Sequence, residues 1–179
     1  NRRGEGNMDQ NESKMYEIFN ELQITNYEVV EHQVVTSIDE VDEYDLSIAD
    51  LNVKNLLLKE KKSDKYYLVI IDEHKKLDTK HFKEVTGWKK VQFSNDEQLM
   101  EVLGLPPRSV TPLSLFNDVD KKVTVVLGKD IVEASDDVTI GHHPCRNNAT
   151  LLMTKGDFMK FLDYMGNEVI LELKEAEGE

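Results

Sequence analysis

Apolar positions along the chain follow two different periods, and the switches between them mark out the elements. In residues 10–23, Met15, Ile18, Phe19 and Leu22 share one side of a helical repeat, which predicts an amphipathic helix. Tyr27–Glu31 is rich in β-formers. "TSIDEVDEY" offers Thr36 or Ser37 as a helix cap, with Asp39 or Glu40 three residues on. "VKNLLLK" and "KYYLVIID" are strand-like runs joined by polar "EKKSD", the pattern of a hairpin. "DTKHFKEVTG" reads as a short helix capped by Asp78 and ended by Gly87. "WKKVQFS" reads as a strand. The next run, "SNDEQLMEVLG", reads as a helix with a capping box from Ser94 to Glu97 and a stop at Gly104. "LPPRSVTP" cannot be regular structure, because Pro106, Pro107 and Pro112 break both ladders.

Beyond it, "KKVTVVLG" is a strand, and "DDVTIG" and "NATLLMT" are short strands flanking "GHHPCRNNAT". "TKGDFMKFLDYMG" is a helix capped by Thr154 with Asp157 as box partner and Phe158, Phe161, Leu162 and Met165 as its core face. "NEVILEL" closes the series as a strand. Strands outnumber helices and come in neighbouring pairs. This predicts an α+β domain with a curved mixed, mostly antiparallel β-sheet and helices packed outside. No repeat or long Pro/Gly/Ser linker divides the chain, so residues 8–174 are expected to form one domain. Residues 1–7, before Met8, are set aside as an expression leftover, and 175–179 as a charged tail.

Composition adds bounds. The 179 residues are 39% hydrophobic and 32% charged, as in an ordinary globular domain. No apolar run approaches the ~20 residues of a membrane-spanning helix. A single cysteine and the lack of a secretory pattern lead us to expect a cytoplasmic protein. The net charge of −13 argues against a broad electrostatic grip on nucleic acid. Lysines nevertheless cluster at 59–65, 75–76, 89–90 and 121–122, either as solvated turns or as a local basic rim. There is no GxGxxG and no phosphate loop, so no nucleotide cofactor is expected.

The densest chemistry lies in residues 141–150, with His142, His143, Pro144, Cys145, Asn147 and Asn148. A zinc site would need three or four convergent ligands. Adjacent strand residues point to opposite faces, and no second Cys/His cluster exists, so no metal is expected. Cys145 as a nucleophile would need a base, which His143 could supply, or the field of Arg146. The third reading is a rigid loop, fixed by Gly141 and Pro144, that presents Asn147, Asn148 and Thr150 to a polar ligand. Lys54 and Asn55, entering an apolar strand, mark either a solvent boundary or a point charge and an amide on a pocket edge.

Four ordered segments carry a resemblance. "KNLLLK" (54–59) is similar to a "KNLFL" strand, followed by "YYLVII". "SNDEQLMEVLGLPPRSVTPLSLFND" (94–118) is similar to "eLLGvtpGSVTPfgLinD". "KKVTVVLGKDI" (121–131) resembles the next strand, and "HPCRNNAT" (143–150) resembles "HPl.N.aT". Together they resemble the YbaK/prolyl-tRNA-synthetase-associated family of aminoacyl-tRNA deacylases, over roughly residues 25–165, and most of all its free-standing PrdX (ProX) branch. One position departs: Arg108 stands where the family's loop has glycine, a residue suited to close backbone approach or positive φ.

The resemblance implies the YbaK-like fold and hydrolysis of the ester on mischarged tRNA(Pro), most of all Ala-tRNA(Pro), without cofactor or metal. It implies Lys54, Asn55 and His143 as the catalytic set: Lys54 on the terminal phosphate or ribose, Asn55 on a ribose hydroxyl or the ester, His143 on the adenine or ribose. It further implies a pocket of Arg108, Ser109, Val110, Thr111 and Pro112 with Gly141, Pro144, Asn147 and Thr150. Cys145 is then a bystander packed in the core. The expected partner is the aminoacyl end and acceptor stem of tRNA, with prolyl-tRNA synthetase a further partner and neither membrane nor DNA involved. Cysteine or serine on the same tRNA are alternatives of similar size. A non-catalytic tRNA- or synthetase-binding module of the same fold is the alternative from another class.

Overall fold

The computed structural model describes the backbone of residues 2–34, 49–88, 90–173 and 175–176, and the side chains within 10–171 of these. Helix α1 (Arg2–Glu21) places Met15, Ile18 and Phe19 in the core, as their spacing predicts. Its backbone runs back to Arg2, through the residues set aside as a leftover. Strand β1 (Tyr27–Glu31) follows. The helix cap expected at 36–44 lies outside the described residues, as does Lys89 of the lysine clusters.

Strands β2 (Leu51–Glu60) and β3 (Tyr66–Asp72) form the expected antiparallel hairpin. Its turn is closed from within: Lys59 Nζ donates to the carbonyls of Glu60 and Ser63 at 3.0 and 2.7 Å. Short β4 (Lys76–Leu77) leads into α2 (Thr79–Thr86), capped by Asp78 and ended by Gly87 at φ +77°. Strand β5 (Val91–Phe93) is shorter than the sequence pattern suggests.

Helix α3 (Asp96–Leu103) starts one residue later than expected. Asn95, not Ser94, is its cap, in a reciprocal box with Gln98. Ser94 is drawn away by the sheet, where its N–H and hydroxyl both donate to the Leu57 carbonyl at 2.9 and 3.0 Å. Irregular backbone spans the proline-rich stretch until Pro112 opens a 3-10 helix (Pro112–Asn117), where a missing N–H costs nothing. Strand β6 (Val123–Gly128) stops at Gly128, and residues read as its continuation form a one-turn helix, α4 (Lys129–Glu133). Strands β7 (Thr139–His142) and β8 (Ala149–Thr154) flank the loop 143–148. Helix α5 (Lys155–Met165), capped by Thr154, buries its four predicted core residues. Strands β9 (Val169–Leu173) and β10 (Glu175–Ala176) end the described chain.

The strands form one eight-stranded mixed sheet in the order β1-β8-β7-β2-β3-β6-β9, with β5 also on β2, while β10 pairs with β4. The pairs β2–β7, β3–β6 and β6–β9 are parallel and the others antiparallel. Two cores lie on opposite faces. The larger gathers α1, α3, α4, α5 and the 3-10 helix through residues such as Phe19, Leu103, Leu113, Ile131 and Phe161. The smaller packs Phe82 of α2 and Trp88 on Leu58, Tyr67, Val69 and Ile71.

Candidate active site

Strand β2 organises the region. One edge pairs with β3 along most of its length. The other edge is shared: Leu51 and Asn52 pair with β7, and 58–60 pair with β5. Between them, residues 53–56 have no strand partner on this second edge among the described residues. At a strand rise of about 3.3 Å per residue this leaves a notch about 13 Å long. Lys54 and Asn55 form its floor. Continuing the parallel register of Asn52 with Gly141 by two residues brings His143 level with Lys54, so His143 and Pro144 stand at one end of the notch. Ser94, bonded to Leu57, closes the other.

Alternation along β2 separates the two floor residues. Lys54 lies opposite Ile71 and shares the face of the smaller core, whereas Asn55 lies opposite Ile70 and shares the face of the larger. Val110 packs against that larger core, which also holds Cys145 and Phe158. The loop residues Ser109, Thr111 and Pro112 are buried, and Arg108 is exposed.

Arg108 adopts φ +66°, the left-handed conformation that glycine takes most readily. Arginine at the position of a loop glycine therefore keeps a glycine-type backbone and sends its side chain outward. Ser109 N–H turns back to the Pro106 carbonyl at 3.3 Å, and Thr111 Oγ1 accepts from Leu113 N–H at 3.3 Å. The N–H groups of Val110 and Thr111 have no acceptor among the described residues.

The loop after β7 also holds a non-glycine residue in the left-handed region, Cys145 at φ +66°. Its thiol is fully buried, and burial raises its pKa to about 12. A thiol so reluctant to ionise has no nucleophilic role, which leaves Cys145 a packing residue. The neighbouring Arg146 is a clamp. Its Nη1 and Nη2 donate to the two carboxylate oxygens of Glu31, each at 2.6 Å, its Nε to Glu12 Oε1 at 2.8 Å, and Nη1 also to Asn148 Oδ1 at 3.0 Å. Asn147 is half-buried beside it, and the bonds that fix the loop come from Arg146 and Asn148. Gly141 allows close packing: a Cβ there would meet Thr150 Cγ2 at 3.1 Å.

The two histidines part ways. His142 faces the larger core, its ring 4.6 Å from that of Phe158, and burial, with His143 adding, pushes its pKa down to about 3. His143 is half-buried, and burial lowers its pKa too, so both rings are neutral at pH 7. His32, isolated in the sequence, joins this group in space, its Nε2 2.8 Å from Thr150 Oγ1 and its N–H on the Asn148 carbonyl. Among the described residues, no three His, Cys, Asp or Glu side chains are grouped to hold a metal ion.

Several buried side-chain polar atoms have no partner among the described residues. They are Asn55 Oδ1, Ser114 Oγ, both ring nitrogens of His142, His143 Nδ1 and Asn167 Oδ1. Of these, Asn55 lies on the notch floor, His142 packs against Phe158 and Ser114 sits within the 3-10 helix.

Comparisons with known proteins bear on the family and the fold. The family model described as an aminoacyl-tRNA editing domain matches residues 31–161. The chain is 34% identical over 147 residues to the prolyl-tRNA editing protein ProX of Acetoanaerobium sticklandii, covering 82% of this chain and 87% of that protein. It is 31% identical to the prolyl-tRNA synthetase associated domain-containing protein 1 of Mus musculus, covering 80% and 85%. A crystal structure described as that of a candidate trans-editing enzyme for prolyl tRNA synthetase superposes with a TM-score of 0.66 at 16% identity, covering 94% of this chain and 98% of the other. That last likeness concerns the fold.

Proposed function

The chain belongs to the aminoacyl-tRNA editing domain family, and from that premise we propose that it hydrolyses the aminoacyl ester of mischarged tRNA(Pro), with alanine as the amino acid removed. The observation that carries the reading is the open stretch of β2 edge with Lys54 and Asn55 on its floor, Asn55 Oδ1 being buried without a partner among the described residues.

The chemistry needs little from the protein. A water oxygen attacks the ester carbonyl, and the charge that develops on the carbonyl oxygen calls for preorganised donors, a role for the N–H groups of Val110 and Thr111. Collapse breaks the bond to the ribose oxygen, which takes a proton, releasing the free amino acid and the tRNA. The substrate's own ribose hydroxyl, held by Asn55, helps to position the water, and a neutral His143, level with Lys54, walls the opposite side. Lys54 takes the terminal phosphate from the other side of the notch. No Ser, Cys or His nucleophile is required, consistent with a buried, un-ionised Cys145.

Selection is by size. A missing methylene or two changes binding by only about 1–3 kcal/mol, so a synthetase pocket for proline admits alanine, and a second, smaller pocket removes the error while excluding proline. Arg108 is compatible with such a pocket because its backbone keeps the left-handed shape.

The test charges proline tRNA separately with alanine, cysteine and proline and follows ester loss. Rapid loss of alanine alone, slowed at least tenfold by Asn55→Ala or Lys54→Ala, is expected. Faster clearance of cysteine would overturn the choice of alanine. No loss above the spontaneous rate from any of the three would overturn the hydrolase reading in favour of a tRNA- or synthetase-binding module.

A further inference from the structure

A second concave site lies on the larger-core face, at the hairpin end of β2 and β3. It is a cleft of about 180 Å³ between that end, α3 and the turn after the 3-10 helix. Lys59, on its near wall, is about 13 Å beyond Asn55 along β2, so the cleft is separate from the notch. Tyr66 forms the base. Its side chain is only 4% accessible and packs in the larger core, yet it lines the cleft. Its hydroxyl has no hydrogen-bond partner among the described residues, a costly state for a phenol held so deep. Burial raises its pKa from 10.0, and Glu101 and Asp64 add to the rise, which places both carboxylates on the side of the hydroxyl.

The lysines of the cleft are already engaged. Lys59 Nζ donates to the Glu60 and Ser63 carbonyls, and Lys122 Nζ stands 4.0 Å from Asp64 Oδ2. Glu101 of α3 and Asp120 of the turn are exposed and have no ion pair or hydrogen bond to a described residue. Asn117 spends its Nδ2 on Asn11 Oδ1 and the Leu103 carbonyl, and its Oδ1 receives no described donor. The groups left free are therefore acceptors: two carboxylates, an amide oxygen and a hydroxyl. Val102 and Val119 add apolar lining. Such a cleft suits a ligand that brings positive charge and donors. A metal ion fits poorly, because among the described residues no three His, Cys, Asp or Glu side chains converge. An ammonium group supplies a charge and three donors, and an aliphatic chain covers the valines. Two free carboxylates on separate elements call for two ammonium groups on that chain.

We propose that this cleft binds an aliphatic diamine or polyamine, with one ammonium group on Glu101 and the Tyr66 hydroxyl, the other on Asp120, and the methylenes along Val102 and Val119. The site goes beyond the deacylase reading and needs no RNA. The bound amine also braces Asn117, the residue that ties the 104–118 segment to Asn11 and Leu103.

The test titrates putrescine and spermidine into the full chain by calorimetry at fixed ionic strength, with n-butylamine and magnesium chloride as controls. Saturable binding at a single site is expected, with putrescine at least about fivefold tighter than n-butylamine. The melting temperature should rise with putrescine concentration. Tyr66→Phe should weaken binding about 2- to 13-fold, the worth of one hydrogen bond, and leave the stability of the empty protein unchanged. Glu101→Gln should weaken binding at least as much. Glu97→Gln removes the same charge from the same helix outside the cleft and should leave affinity within about twofold. Equal responses to putrescine, n-butylamine and magnesium, or equal losses from Glu97→Gln and Glu101→Gln, would reduce the cleft to a diffuse acidic surface and overturn the proposal. Absence of saturable binding, or wild-type affinity in Tyr66→Phe, does the same. Failure of any of these leaves the hydrolase reading intact, whereas amine binding without hydrolysis of any charged tRNA would sink the hydrolase reading and leave this one standing.

Discussion

The loops 104–118 and 143–148 each hold a non-glycine residue at φ +66°, Arg108 and Cys145, yet they are kept in shape by different physics. The first is tied by buried amides and a buried carboxylate. Asn117 Nδ2 donates to Asn11 Oδ1 and to the Leu103 carbonyl, both at 3.0 Å, and Asn11 Nδ2 to the Gly104 carbonyl at 2.8 Å. Asp118 accepts from the N–H groups of Lys122 and Val123 and from Asn167 Nδ2, each at 2.9 Å. The second loop is tied by the Arg146 fork to Glu12 and Glu31, and the Glu31 carboxylate is exposed. Hydrogen bonds buried away from solvent are little screened by salt and costly to break, whereas an ion pair reaching solvent is screened and holds orientation more than stability. The loop that offers backbone donors is thus rigid by burial, and the loop that walls the notch is held by charge.

The largest test of this contrast is Asp118→Ala. Three donors lose their acceptor, two of them backbone N–H groups, and we expect a loss of about 3 kcal/mol or more in urea unfolding, unaffected by salt. Arg146→Met should destabilise by less than half as much, and about 1 M NaCl should shrink the gap from wild type. A salt-independent effect of Arg146→Met as large as that of Asp118→Ala would erase the distinction.

Acid sharpens it. Arg146's hydrogen bonds hold the Glu31 carboxyl below its ordinary value near 4.5. A lowered carboxyl pKa stabilises the fold fully above that value, and the contribution is lost as pH falls through the folded value. Arg146→Met should therefore flatten the stability profile below about pH 4.5. His142 acts in a higher window. Unfolded, its ring binds a proton near 6.5, but folded only near 3, so stability falls as pH drops between those values. His142→Phe should reduce that slope, the remainder belonging to His143, and an unchanged slope from pH 6.5 to 3 would show that His142 does not titrate on unfolding. The smallest effect is expected from Arg108→Gly. Relief of the left-handed strain, about 1 kcal/mol, is offset by glycine's greater unfolded freedom, so stability should move by about 0.5 kcal/mol or less. A drop in ester hydrolysis with unchanged stability would assign the arginine side chain a part in substrate binding.

Much of the fold was legible because local rules decide it. The β2–β3 hairpin, the Asp78 cap and the core face of α5 each depend on residues a few positions apart. The cap at Asn95 was misplaced by one because a bond to Leu57, thirty-seven residues away, claims Ser94. The same limit hid the clamp, since Arg146 meets Glu12 and Glu31 at separations of 134 and 115 residues, and it hid His32 beside Thr150. The segments carrying Lys54, Arg108 and His143 were readable as resemblance. That Lys54 and Asn55 face opposite sides follows from strand alternation alone and was available from "KN" once β2 was recognised.

The divided edge of β2 also bears on how the protein acquires and loses its shape. The hairpin with β3 closes a short loop, whereas joining β2 to β7 must bring residue 52 to residue 141 for only two paired positions. Loop-closure entropy makes that junction late in folding. The sheet should then mature as a β2–β3–β6–β9 block to which β7, β8 and β1 dock as a second unit. Amides of β7 and β8 are expected to exchange with deuterium faster than those of β3 and β6, because opening the two-residue seam frees that unit without melting the rest. The notch lies on the seam, so it exists as a shaped site only once folding is complete, and partial opening would disarm it before the chain unfolds.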